Sequence, residues 1–247
     1  MSPADARPGF ATLTAVELRK TVDTRAGFWL LLSIGLLTVV ALVLVAIFAK
    51  PGDQTLQAML SVAVAPASVL LPVVGILLVT SEWTQRTSFI TFTLTPGRGR
   101  VLIAKLVAGL LLSLAALGLS LVSAAVATAI VAPDVDGTWS LPIGLLGQTA
   151  LSIATGVVMG IGFGAVMLAS APALVLFFAA PIGVAALGAI PALRDVAPWV
   201  SVGEATGPMT DELFDATQWA HAGTTLALWM VLPVLAGFWR VRRTDVG

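Results

Sequence analysis

The sequence predicts an all-α polytopic membrane protein with six transmembrane helices, an N-terminal interfacial helix and both termini cytoplasmic. Three observations predict it. Of the 247 residues, 58% are hydrophobic and only 11% charged, with a mean hydropathy of +1.01, far more apolar than a soluble domain of this length. Uncharged apolar runs of about 20 residues recur, and each is long enough to cross a hydrocarbon core of ~30 Å as a helix. The basic residues gather in alternate connections although the net charge is zero, and that asymmetry orients multi-pass proteins. Residues 1–247 are therefore read as a single transmembrane domain.

Residues 1–27 carry too many charges beside too little apolar sequence to be a signal peptide. Ala11, Ala15, Leu18 and Val22 form a narrow helical stripe, which predicts an interfacial helix before the first span. The first span covers about 28–49, with Trp29 as an interfacial anchor. The second, about 61–80, contains Pro66 and Pro72, which remove backbone donors and kink it. The third, about 101–131, exceeds what a bilayer needs, so tilt or protrusion is expected. The fourth, about 141–169, places Gly156, Gly160 and Gly164 on one face, where a neighbouring backbone can approach closely. Packing inside the bundle is favoured over a homodimer contact for this seam. The fifth span, about 173–190, contains Pro181 and follows so closely that the two form a tight hairpin. Residues 191–220 are a second long interruption, acidic and including Trp199, with a piece expected to dip back towards the membrane. The last span, about 221–239, carries Trp229 at mid-span and ends in Arg240, Arg242 and Arg243.

Every Lys and Arg except Lys50 and Arg194 lies in the N-terminus, the stretch between spans two and three with Lys105, or the C-terminus. The positive-inside rule then places these three on the cytoplasmic side. Arg outnumbers Lys, which points towards a GC-rich bacterium and so to a bacterial plasma (inner) membrane.

Several chemistries are excluded by what is missing. There is no cysteine, hence no disulfide, thiol catalysis or Cys-based metal site. The spans lack Asp, Glu, Lys and Arg in their central portions, which argues against a proton-driven carrier. Neither Gly-Xaa-Ser-Xaa-Gly nor His-Glu-Xaa-Xaa-His occurs, and the single histidine, His221, sits at a membrane edge. No catalytic centre, cofactor site or metal site is expected. No Gly-Lys dipeptide is present, so no Walker A loop exists to cradle a nucleotide.

The stretch 81–100 is the only interruption that is both basic and patterned like a short helix. Ser81 is expected to act as its N-cap, with Glu82 in the first turn and Arg86 four residues on. Pro96 and Gly97 stop it. Trp83 and Thr87 share one side, while Phe89 and Phe92 lie towards the other. Aromatic residues on two sides predict a handle gripped by another protein. Arg98, Arg100 and Lys105 are expected to face anionic headgroups.

With these residues the chain resembles membrane subunits of the type-2 permease family of ABC transporters. The resemblance runs through Glu17-Leu18-Arg19-Lys20 and Arg25, then Glu82, Arg86-Thr87, Thr95-Pro96-Gly97-Arg98 and Lys105, and it covers essentially the whole chain. It implies two such subunits, identical or paired with a sister, joined to two copies of a separate ATPase that binds ATP and Mg²⁺. It implies that Glu82, Trp83, Arg86, Thr87, Phe89 and Phe92 form the coupling helix seated on that ATPase. The interfacial helix with Glu17, Arg19, Lys20 and Arg25 would precede the spans, and 191–220 would form a partly re-entrant outer cap. The chain would then be no enzyme itself but an export permease for a drug, antibiotic, peptide or lipid. Its apolar walls favour an amphiphilic or hydrophobic substrate, with cavity residues sought at Val69, Val73, Phe177 and Phe178. The competing reading is a non-transporting anchor or sensor that recruits a cytoplasmic partner through the same loop, and an ion-coupled carrier ranks below it. Membrane lipid is a partner in every case, and nucleic acid in none.

Overall fold

The computed structural model describes residues 9–50, 54–84, 98–131 and 136–243. They form helices and connections, and no strand occurs among them. α1 spans Phe10–Asp23, α2 Arg25–Phe48, α3 Leu56–Thr84, α4 Arg98–Val131, α5 Ile143–Met167 and α6 Ser170–Leu187. Short turns follow: a 3₁₀ turn at Pro191–Leu193, α7 at Ala197–Val200, α8 at Val202–Thr206 and a 3₁₀ turn at Gly207–Thr210. α9 (Ala216–Leu226) then runs through a π turn (Ala227–Val231) into α10 (Leu232–Arg243). Pro233 has no N–H to donate, which is the natural place for the helical bonding pattern to slip by one residue. Among the described residues, six helices are long and apolar enough to cross a membrane, with mean hydropathies from 3.0 for α2 to 1.6 for the α9–α10 unit. This is a multi-pass, helical transmembrane protein.

α3 and α5 form the centre, and glycine sets their spacing. A Cβ on Gly160 would run into the carbonyl oxygen of Pro72, and one on Gly156 or Gly164 would stand 3.1 Å from Pro72 Cγ or Ile76 O. On the facing helix, a Cβ on Gly75 would lie 2.7 Å from Val157 O. The glycine seam thus faces α3 within the chain, and the two backbones approach as closely as small residues allow. α10 packs on another side of α5, where a Cβ on Gly237 would meet Ala165 Cβ at 2.5 Å. α2 and α4 flank α3, and the Ala63 carbonyl accepts hydrogen bonds from Thr38 of α2 and Ser120 of α4, both at 3.2 Å. α2 and α6 are mostly exposed, as helices bathed in lipid are.

One detail differs from the sequence expectation. α3 continues without a break through Ser81 to Thr84, so Ser81 is not an N-cap and Glu82 lies in a last turn rather than a first. No glycine or proline lies between Ile76 and Thr84 to stop the helix, and the Thr80 hydroxyl bonds back to Ile76 O and meets Ser170 Oγ at 2.7 Å. The face that α1 buries is Thr14, Glu17 and Thr21, while Ala11, Ala15 and Val22 are exposed. Its polar face turns inwards because the charged partners of Glu17 lie there.

α5 ends at Leu168, whose φ of 54° is left-handed, and α6 starts two residues later. Residues 207–215 are tied to the bundle by glutamines. Gln148 Nε2 donates to Glu212 O (2.8 Å) and Met209 O (3.4 Å), Phe214 N donates to Gln148 Oε1 (3.0 Å), and Gln57 Nε2 donates to Asp211 O (2.7 Å). These residues cap the end of the bundle where α3 begins.

Candidate functional site: an ion cluster and a cavity at opposite ends

Four charges from three helices meet at the end of α3 away from the cap. Lys105 Nζ of α4 donates to Glu17 Oε2 of α1 (2.6 Å), Glu82 Oε1 of α3 (3.0 Å) and the Leu78 carbonyl (2.8 Å). Lys20 Nζ donates to Glu17 Oε1 (2.8 Å) and Glu82 Oε1 (2.7 Å). Among the described residues, signs therefore alternate around a ring of two lysines and two glutamates, and Lys105 uses all three of its donors. Lys105, Glu17 and Glu82 are all buried. A buried ion survives only when paired and hydrogen-bonded, and here each condition is met.

The helices place these groups by spacing. Lys105 follows Val101 by four residues and precedes Ala108 by three, all buried, so it lies on the apolar stripe of α4. It does not face headgroups as the sequence suggested, because its ammonium has carboxylates within reach inside the protein. Lys20 sits at the rim. Burial pulls its ammonium down, but hydrogen bonds and Coulomb attraction from Glu17 and Glu82 outweigh this and hold it above its ordinary value of 10.5.

The cluster fastens the feet of the connection 85–97. α3 enters that connection three residues after Glu82, and α4 leaves it seven residues before Lys105. Glu17, Lys20 and Glu82 are brought together, and Trp83 is the next, half-buried residue. Arg19 instead pairs with Asp23 on the exposed face of α1 at 2.9 Å, and Arg25 is exposed at the start of α2. Arg86, Thr87, Phe89 and Phe92 lie outside the described residues.

No protein-family model matches this chain, and no curated protein matches it at a significant level.

A cavity of about 590 Å³ lies between α3, α5, α6 and residues 202–210. Val69, Phe177 and Phe178 line it, and Val73, one turn further along α3, does not. Beside it Phe163 packs edge-on against Phe177 at 5.9 Å and stacks with Trp229 at 6.3 Å. Trp229 Nε1 donates to Val200 O at 2.8 Å, so this indole ties the π turn to α7. His221 packs its ring edge-on to Trp199 at 4.4 Å. No group of His, Asp or Glu that would hold a metal is found among the described residues.

The sequence missed the cluster's closed geometry and the hydroxyl-bearing wall of the cavity. The first had a signal: Lys105 interrupts an apolar stripe at helical spacing, as Glu82 does after Leu78 and Val79. The second had none, since serine and threonine are ordinary in membrane helices.

Proposed function

We propose that this chain is the membrane-spanning permease subunit of an ATP-driven exporter in a bacterial inner membrane. The observation that carries the reading is the ion cluster. It joins α1, α3 and α4 where the basic, aromatic connection 85–97 begins and ends, so a force on that connection moves three helices together. A cavity stands at the other end of α3. The positive-inside rule puts α1, the connection and the C-terminus on the cytoplasmic side, where a soluble ATPase docks. Hydrolysis of ATP with Mg²⁺ takes place on two copies of that partner, and this chain contributes no catalytic centre. A second permease subunit completes the assembly, and α1 lies along the membrane surface with its apolar stripe towards lipid. The cargo is amphiphilic or hydrophobic.

Affinity purification of the tagged chain in mild detergent, followed by an ATPase assay, tests this. A soluble ATP-binding protein in one-to-one ratio with the chain is expected. Glu82→Arg would add a third cation to the ring and disturb the joint itself. Arg86→Glu and Phe92→Ala alter the connection and change none of the four ring residues. Both are expected to stay in the membrane with wild-type thermal stability and to lose copurified ATPase activity. Unchanged activity in both variants, or recovery of this chain alone, refutes the exporter reading and favours an anchor.

A further inference from the structure

The last turns of α10 carry cations that the ion cluster does not use. α10 packs inwards through Gly237 and Val241, both buried, while Leu232, Leu235 and Trp239 are exposed. Steps of three and four residues put these last three and Arg243 on one outward face. The face is apolar for two turns, then aromatic, then cationic. That is the order of layers met on passing from hydrocarbon through the interface to the headgroups. The Arg243 guanidinium lies over the Trp239 ring, 4.7 Å from its centroid, and Arg242 lies over Phe238 at 5.6 Å, both within reach of a cation–π attraction. The start of α4 stands alongside: a Cβ on Gly99 would lie 2.8 Å from Phe238 Cζ, and Arg100 follows, exposed. This contact puts the guanidiniums at the same end of the bundle as the ion cluster.

Charge and hydrogen bonding point to the occupant. A ring attracts a guanidinium but has no oxygen to accept from its N–H groups, so Arg242 and Arg243 still call for acceptors. Among the described residues no hydrogen bond or ion pair engages Arg100, Arg242 or Arg243, whereas Arg19 holds Asp23. A planar fork of N–H donors matches the oxygens of a phosphate. An exposed apolar stripe leading up to that fork suits an acyl chain, which a soluble anion lacks. Stacking on the rings also orders both side chains beforehand, which lowers the entropy cost of binding. We propose that the outward face of α10 binds a phospholipid of net negative charge. Its phosphate pairs with Arg243, an acyl chain lies along Trp239, Leu235 and Leu232, and Arg242 with Arg100 adds positive potential from the side. The headgroup contact expected of Lys105 falls to these guanidiniums. The site requires a membrane and does not rest on the exporter reading.

The test uses the full chain in phosphatidylcholine nanodiscs that contain a minor fraction of phosphatidylglycerol with a diazirine in its acyl chain. Cross-linked peptides are mapped by mass spectrometry. Labelling should concentrate on α10 between Leu232 and Trp239, above the level on the exposed face of α2. Phosphatidylcholine carrying the same diazirine should label the two helices alike. Unlabelled phosphatidylglycerol should compete, and inorganic phosphate should not. Arg243→Gln should lower α10 labelling roughly fivefold, the effect of one cation beside an anionic headgroup. Arg243→Lys keeps the charge but loses the fork, so its labelling should fall between the two. Arg25→Gln removes an exposed cation at the start of α2 and should leave α10 labelling unchanged. Should the glutamine variant at Arg243 melt earlier than the wild type, the lysine variant and the comparison of lipids on the unaltered chain decide.

Equal preference of the two lipids for α10 overturns the proposal and leaves the cations to an acidic protein surface. Displacement of the label by inorganic phosphate overturns it in favour of a soluble anion. An equal loss in Arg25→Gln and Arg243→Gln overturns it too, because the summed charge of that end would then attract lipid without a site. Selective α10 labelling without a copurifying ATPase would sink the exporter reading alone. A copurifying ATPase without selective labelling would sink this inference alone.

Discussion

Lys105→Met removes the central cation of the ring and keeps most of its side-chain volume. Three bonds of 2.6 to 3.0 Å vanish, and two buried carboxylates lose their shared buried cation but keep Lys20, which is 39% exposed at its side chain. Removing one member of a buried pair costs about 3–5 kcal/mol. The lower end is expected, because Lys20 still bonds both carboxylates. Glu17→Gln alone should cost less, since Lys105 keeps Glu82 and the Leu78 carbonyl. In the double variant Lys20 and Glu82 form a neutral pair, so the loss should fall short of the sum by at least about 1 kcal/mol. Unfolding in mixed micelles by added dodecyl sulfate, followed by near-ultraviolet circular dichroism, measures all three. Additivity within about 0.5 kcal/mol would refute the ring as a coupled unit.

Two further outcomes follow from the packing and the charges. Gly160→Ala should destabilise the bundle by about 1–3 kcal/mol, because its Cβ meets the Pro72 carbonyl oxygen. Gly156→Ala meets only a ring carbon at 3.1 Å, and the better helix propensity of alanine should offset the contact; equal thermal midpoints for the two variants would contradict the packing of α5 on α3. The raised Lys20 value predicts an alkaline loss of stability. Its contribution is fully present below the unfolded value of 10.5 and is lost as pH rises through the higher folded value. Thermal unfolding scanned towards pH ~11 should therefore show a steeper alkaline decline in the wild type than in Lys20→Met, and parallel declines would count against the pairing.

The features legible in the sequence follow from short-range physics. In hydrocarbon every backbone polar group must be satisfied within its own segment, so a long uncharged run is a helix whatever surrounds it. Six such helices are present, with ends a few residues from those expected. The glycines at 156, 160 and 164 are legible as a close-packing face for the same reason, since a four-residue spacing defines a face locally. Val69, Phe177 and Phe178 could be sought on the right helices, but not separated from Val73, because lining a cavity depends on what the neighbouring helix leaves open.

The features that differ from expectation all depend on partners distant in sequence. Ser81 reads as a cap only if a helix starts there, and the lysines that stabilise Glu82 in a last turn lie 62 and 23 residues away. Lys105 turns inwards rather than to headgroups because Glu17 lies within its reach across 88 residues. Composition and periodicity by themselves determined a helical bundle that lives in a membrane. Tertiary structure alone decided which charges are buried together, because the energy of a charge or a polar atom in a low-dielectric interior depends on whether another chain segment arrives within hydrogen-bond distance of it.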